Sequence, residues 1–390
     1  MTSAGDTLAL YVHWPFCISK CPYCDFNSHV VEHVDHGQWR DALLRELAYE
    51  AARTPGQKLQ SIFFGGGTPS LMHSETAAAV IAEAKSAWPS EDEIEITLEA
   101  NPGTVDAERF EAFRAAGINR LSLGVQSFDD AQLKFLGRRH SADEAKRAIA
   151  LAGETFERLS FDLIYARPGQ SADMWREELN AALDVLDNAG GAHLSCYQLT
   201  IETNTPFENA YARGDFTLPD EEGGSDLYDL TQDILGDAGL PAYEISNHAR
   251  PGDACRHNVH VWQGGAYAGI GPGAHGRVIV DGQAHATQRH KPPAKWLKQV
   301  GEHGHGGQRD DIVSPHERAI EMVMIGLRLT AGLDLAALER TTGVLRFDVV
   351  AKDRVKGFVD DGLVEADGDI LRATPRGRLV LNALIGELIV

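Results

Sequence analysis

An α/β fold is predicted for this chain: a parallel sheet curled into a full or partial (β/α)6 barrel, followed by a small winged-helix-like α+β domain. Three observations predict it. From the N-terminus to about residue 250, short β-branched runs alternate with amphipathic helical stretches. Each strand-like run ends in glycine, proline or polar residues, where a βα unit turns. After Ser314 the texture changes to helices followed by a hairpin-like segment.

Taken in order, the strand-like runs are residues 8–13, 61–64, 94–99, 120–124, 159–164 and 193–198. Helices such as 39–52, 74–88 and 106–116 lie between them. Six such units favour a barrel-like parallel sheet with ligands at the carboxyl ends of its strands. We divide the chain into a barrel with an extension (1–284), a linker or loop (285–314) rich in Gly, Pro, Lys and His, and a C-terminal domain (315–390). In the last, helices over 315–329, 335–341 and 347–356 precede a hairpin at 363–371 and a final helix from Pro375. His285, His290, His303 and His305 fall in the linker and read as solvated.

The 390 residues carry 36 basic and 57 acidic side chains, a formal net charge of −21. That balance argues against a polyanionic partner such as nucleic acid, which needs neutralisation by Lys and Arg. No apolar run reaches the roughly 20 residues needed to cross a bilayer. The first six residues lack the regions of a signal peptide, so the expected compartment is the cytoplasm. Of five cysteines three are clustered, which argues against a disulfide framework and for a reducing compartment.

Cys17, Cys21 and Cys24, spaced C-x3-C-x2-C, follow the first strand directly. Three thiolates can hold three irons of a 4Fe-4S cubane and leave the fourth open to a small molecule. No second Cys pair or H-x3-H follows at zinc-finger spacing. The second strand closes on Phe64-Gly65-Gly66-Gly67-Thr68-Pro69, where glycines allow close backbone approach and Thr68 adds a hydroxyl. Glu99 ends the third strand, Gln126 lies just past the fourth, and Asp162 lies near the end of the fifth, with Arg138 between the last two.

With Tyr23 before its last cysteine, the motif resembles that of the radical S-adenosylmethionine (SAM) superfamily. The resemblance implies a 4Fe-4S cluster on Cys17, Cys21 and Cys24. SAM would chelate the open iron through its amino and carboxylate groups, and an electron from the cluster would cleave the sulfonium to a 5′-deoxyadenosyl radical. The glycine segment looks like the part of such proteins that holds the SAM amino group. Over nearly the whole chain the order of motifs resembles the coproporphyrinogen-oxidase-like (HemN/HemW) branch. On that likeness Tyr11, Tyr23, Gly66, Gly67, Thr68, Glu99, Gln126, Arg138 and Asp162 are the candidate contacts for one or two SAM molecules.

Oxidases of the branch carry a fourth cysteine two positions after the third; here that position is Phe26, which looks like the HemW haem chaperone subgroup. That subgroup has an HNxxYW motif, and this chain has His257-Asn258-Val259-His260-Val261-Trp262, with Val261 for tyrosine. An imidazole can ligate haem iron and an indole can stack on a porphyrin. The resemblance therefore implies haem contact at His257, Asn258 and Trp262, and delivery of haem to acceptor proteins, among them respiratory enzymes at the membrane, which the protein would meet peripherally. Whether it dimerises or turns SAM over stays open. The alternatives are oxygen-independent oxidation of coproporphyrinogen III, and methyl transfer using two SAM molecules.

Overall fold

The computed structural model describes residues 6–390, so the signal-peptide reading, drawn from the first six residues, lies outside the described residues except at Asp6. The chain opens with β1 (Thr7–Trp14), the short β2 (Phe16–Cys17) and β3 (His29–Val30), and α1 (His36–Arg53). The repeating units follow: β4 (Lys58–Gly66), α2 (Ser74–Ala87), β5 (Ser90–Ala100), α3 (Ala107–Ala115), β6 (Arg120–Gln126), α4 (Asp130–Phe135), α5 (Ala142–Thr155), β7 (Arg158–Tyr165), α6 (Ala172–Asn188) and β8 (His193–Gln198). Next come α7 (Pro206–Ala212), α8 (Glu221–Asp237), β9 (Asn247–Ala249), α9 (Arg256–Trp262), β10 (Ala266–Ile270), β11 (His275–Val280), β12 (Gln283–Arg289), α10 (Pro293–His303) and β13 (Gly307–Val313).

All six predicted strands form, and they pair in parallel in the order β1-β4-β5-β6-β7-β8, with β10 parallel to β1 on the other side. The full sheet runs β13-β12-β11-β10-β1-β4-β5-β6-β7-β8-β9; no pairing joins its two ends, so the barrel is partial. Alternation along each strand decides which layer a side chain joins. Leu8, Leu10, Val12 and Trp14 of β1 are buried against the helical layer with Trp39, Leu43 and Leu47 of α1. The other parity, Tyr11 and His13 on β1, Glu95 and Glu99 on β5, Ser122 on β6 and Asp162 on β7, faces inward.

The expected linker over 285–314 is not one. Its residues form the last two strands of the main sheet, with a helix between them. Arg289, almost fully buried, pairs with Glu46 at 3.2 Å and with Glu50. Trp296 stacks on Trp39 (5.2 Å, 9°) and donates its indole N–H to Glu46 at 2.9 Å. A segment that buries an arginine and its largest apolar group against α1 is structural. Of its histidines, His285 bonds Asp310 at 2.8 Å and His305 stacks on Tyr49; the reading of all four as solvated is corrected there.

The C-terminal domain has α11 (Pro315–Gly326), β14 (Leu333–Asp334), α12 (Leu335–Thr342), α13 (Lys352–Asp360), β15 (Val364–Asp367), β16 (Ile370–Ala373), α14 (Pro375–Leu379) and α15 (Leu381–Leu388). Its hairpin gains β14 as a third strand, and its own core includes Val323, Leu338, Val349, Leu371 and Leu388. No helix among the described residues is long and apolar enough to cross a membrane.

Candidate functional site

A cavity of about 560 Å³ opens at the carboxyl ends of the parallel strands. Cys17, Cys21 and Cys24 line it together with Tyr23, Gly66, Gly67, Thr68, Glu99, Gln126, Arg138 and Asp162, so residues spread over nearly 150 positions converge on one space. Four other sequence candidates are not among its lining residues. Tyr11 lies beneath the glycine loop, its hydroxyl on His13 Nδ1 at 3.1 Å and its ring near Phe63. His257, Asn258 and Trp262 are on α9, which packs against β4, β1 and β10.

The three cysteines are half-buried and unpaired. Each sulfur has a hydrogen-bonding group beside it. The Thr68 hydroxyl donates to Cys17 Sγ at 3.3 Å, Arg138 Nη1 donates to Cys21 Sγ at 3.5 Å, and Ser28 Oγ is 3.8 Å from Cys24 Sγ. Two of these donors are joined through Asn101, which donates to Thr68 Oγ1 at 2.9 Å and accepts from Arg138 Nη2 at 2.5 Å. Arg138 Nε is buried without a partner, leaving one donor for a ligand beside Cys21. Among the described residues no three His, Cys, Asp or Glu side chains converge as a single ion requires. Thiolates spread around a cavity and individually supported suit a cluster in which each iron takes its own sulfur.

Burial pushes the thiols of Cys17 and Cys24 up from their ordinary range. The glycine loop is bound to this cysteine loop by Gly67 N–H to Trp14 O (2.7 Å) and Thr68 N–H to Phe16 O (2.8 Å). A Cβ on Gly66, whose φ is +115°, would lie 2.6 Å from the His13 ring, and one on Gly67 would lie 2.9 Å from Phe16 O. Sequence reasoning gave these glycines to ligand approach; the structure shows that they also let two loops of the protein close on each other.

Glu99 and Asp162 bring two carboxyls into the cavity wall. Burial, then the neighbouring Asp162, raises Glu99 to about 8; burial raises Asp162 to about 6, against hydrogen bonds from Ser195 and Ser122 and the charges of Arg120 and Arg138. Glu99 accepts one backbone bond, from Gly66 N–H at 3.2 Å. Two crowded carboxyls with few donors fit a cationic ligand carrying hydroxyl and ammonium groups, as SAM does. Gln126 has φ +76° at a register shift of β6 against β7, and Ala166, just after β7, has φ +56°. Non-glycine residues hold such φ values at a cost, and the strain concentrates where these strands meet the cavity.

Asn101, Ser28 and Asn27 were missed as site residues. Asn27 donates to Pro272 O (2.8 Å) and Lys291 O (2.9 Å), pinning the cysteine loop to the turn after β10. This makes the glycine-rich stretch from Gly269 to Gly276 an anchor for the cysteine loop. An Asn-Pro pair directly after a strand, and Asn-Ser just past the last cysteine, were the available signals.

The family model for the Radical SAM superfamily matches residues 11–182, and that for the HemN C-terminal domain matches residues 313–380. Two curated proteins named Heme chaperone HemW, from Escherichia coli and Haemophilus influenzae, are each 37% identical over 97% of this chain and 97% of their own length. The chain belongs to the HemW family of radical SAM proteins. A mouse relative, radical S-adenosyl methionine domain-containing protein 1, mitochondrial, is 39% identical over 98% of this chain and 87% of its own. The solved coproporphyrinogen III oxidase (HemN) of Escherichia coli superposes with a TM-score of 0.80 at 24% identity, over 98% of this chain and 90% of that one, and so shares its fold. Membership in the superfamily implies a 4Fe-4S cluster and SAM, and the sulfur donors and crowded carboxyls above fit both groups.

Proposed function

We propose that this chain is a haem chaperone that binds a 4Fe-4S cluster, SAM and haem, and passes haem to acceptor proteins, including respiratory ones met peripherally at the membrane. Cys17, Cys21 and Cys24 hold the cluster. Gly66, Gly67, Thr68, Glu99, Gln126, Arg138, Asp162 and Tyr23 enclose SAM, to which the cluster supplies an open iron and an electron. Five free cysteines and no disulfide among the described residues suit a reducing compartment such as the cytoplasm.

The observation that carries the reading is near-complete coverage by relatives named as haem chaperones, combined with Phe26 where oxidases of the branch place a cysteine. Phe26 is 60% exposed and lines the mouth of the cavity. His257 contributes less than its motif implies. It is 7% exposed, hydrogen-bonded through Nδ1 to Ser61 at 3.0 Å, and burial lowers its pKa to about 3. It reaches haem only if α9 leaves its place.

The rival, oxidation of coproporphyrinogen III, has the shared fold in its favour and Phe26 against it. Anaerobically reconstituted protein offered haem and coproporphyrinogen side by side separates the two. A chaperone binds haem near one equivalent and gives it up to an apo-haem protein; protoporphyrinogen formed with SAM and dithionite would overturn the proposal.

A further inference from the structure

A second groove, of about 620 Å³, lies along the segment that leads from β3 into α1 and is lined by residues 31–37, Glu32 and Asp35 among them, with His73. Three of its side chains are imidazoles: His33, His36 and His73. Trp14, His36 and His73 form a column of rings, Trp14 to His36 at 5.7 Å and 17°, and His36 to His73 at 3.6 Å and 8°. The outer ring, His73, is exposed, while His36 Nδ1 is enclosed without a hydrogen-bond partner. His73 is the N-cap residue of α2, yet its side chain makes no cap bond. Ser, Thr, Asp or Asn would stabilise that helix start, so the position forgoes a cap and presents an imidazole braced by two stacked rings.

Beside these rings the surface is apolar: Val30 is 56% exposed and Val31 42%, with Val34 lining the groove. A bare divalent ion would need three or four protein ligands, and no such set converges among the described residues. An iron that brings four nitrogens in a planar apolar ring needs only an imidazole and a face to lie on.

We propose that this groove is the haem site: His73 supplies an axial imidazole, His33 a second, and the Val30, Val31 and Val34 face takes the macrocycle. The inference rests on the haem-chaperone reading and gives it a location other than the segment around His257. It also couples the two centres, because β3 pairs with β2 so that Val30 lies opposite the cluster residue Cys17. Filling the cluster site then shapes the groove wall.

The test is a titration of the full, cluster-loaded chain with haem, read in the Soret band, for wild type, His33→Ala/His73→Ala, His73→Ser and His257→Ala. The double variant should bind at least about tenfold more weakly and lose the imidazole-ligated spectrum, while His257→Ala stays close to wild type. His73→Ser should also weaken binding, yet melt higher because a cap is restored, which separates lost ligation from lost folding. Wild-type affinity and spectrum in the double variant would overturn the groove and leave the haem-chaperone reading standing. Absence of haem binding by the wild type would overturn both.

Discussion

Glu99→Gln should make the protein more stable and less able to hold SAM. Glu99 stands at about 8 against an ordinary 4.5, and each unit is worth about 1.4 kcal/mol. Ionising it inside the barrel therefore costs on the order of 4–5 kcal/mol in a dry site, and about half of that where the carboxyl faces a water-filled cavity. The sign follows from linkage. An acid whose folded pKa is raised contributes its full stability below about pH 4.5, loses it as pH climbs to about 8, and is flat beyond. Glutamine keeps the shape and never ionises, so the ligand-free variant should match wild type near pH 5 and exceed it by about 2 kcal/mol at pH 8.5. Denaturant unfolding of ligand-free protein from pH 5 to 9, in parallel with SAM binding by calorimetry, measures both effects. A stability difference that does not change with pH, or unaltered SAM affinity, would refute the argument that Glu99 is held ready for a cationic ligand.

Glu95→Gln should act in the opposite direction, destabilising by about 3–5 kcal/mol, because it strips the charge facing buried Arg120 and Arg158; the same denaturation series reads it. Arg138→Gln removes a cationic donor from beside Cys21, so the reconstituted cluster should become harder to reduce, seen as a lower potential in an electron paramagnetic resonance titration. Trp296→Ala deletes a fully buried indole that ties the last strands to α1. A loss of about 3–5 kcal/mol in unfolding free energy is expected.

The strands and the cysteine site were legible because their signals are local. Alternation over six or seven residues marks a strand, and three cysteines within eight positions declare a ligand set without reference to the rest of the chain. The segment 285–314 was illegible for the opposite reason. What makes it structural is Arg289 and Trp296 meeting Glu50 and Glu46, partners 239 and 250 residues away, while its composition is that of a loop. Asn101 was passed over because its work is to join Thr68 to Arg138, a role visible only when both are in place. The HNxxYW-like segment shows the limit of motif reading. His257 sits where the pattern puts it, but its surroundings are Ser61, Phe63 and Tyr11 rather than an open face.

One strand carries two buried carboxyls whose surroundings drive them in opposite directions. Glu95 and Glu99 are four residues apart on β5 and point into the same barrel. Burial raises both, but at Glu95 the guanidinium groups of Arg120 and Arg158 and the His257 N–H (3.1 Å) outweigh it and bring the carboxyl below its ordinary range. Four positions nearer the cavity, Glu99 has one backbone donor and faces Asp162, and its pKa goes up. The lower layer is complete in itself and closes the barrel floor with α9 and the buried Cys255, whose thiol rests on Glu95 at 3.4 Å. In the upper layer Glu99 is left short of positive charge and donors, on the side where the cysteine sulfurs gather. A ligand that brings both completes it.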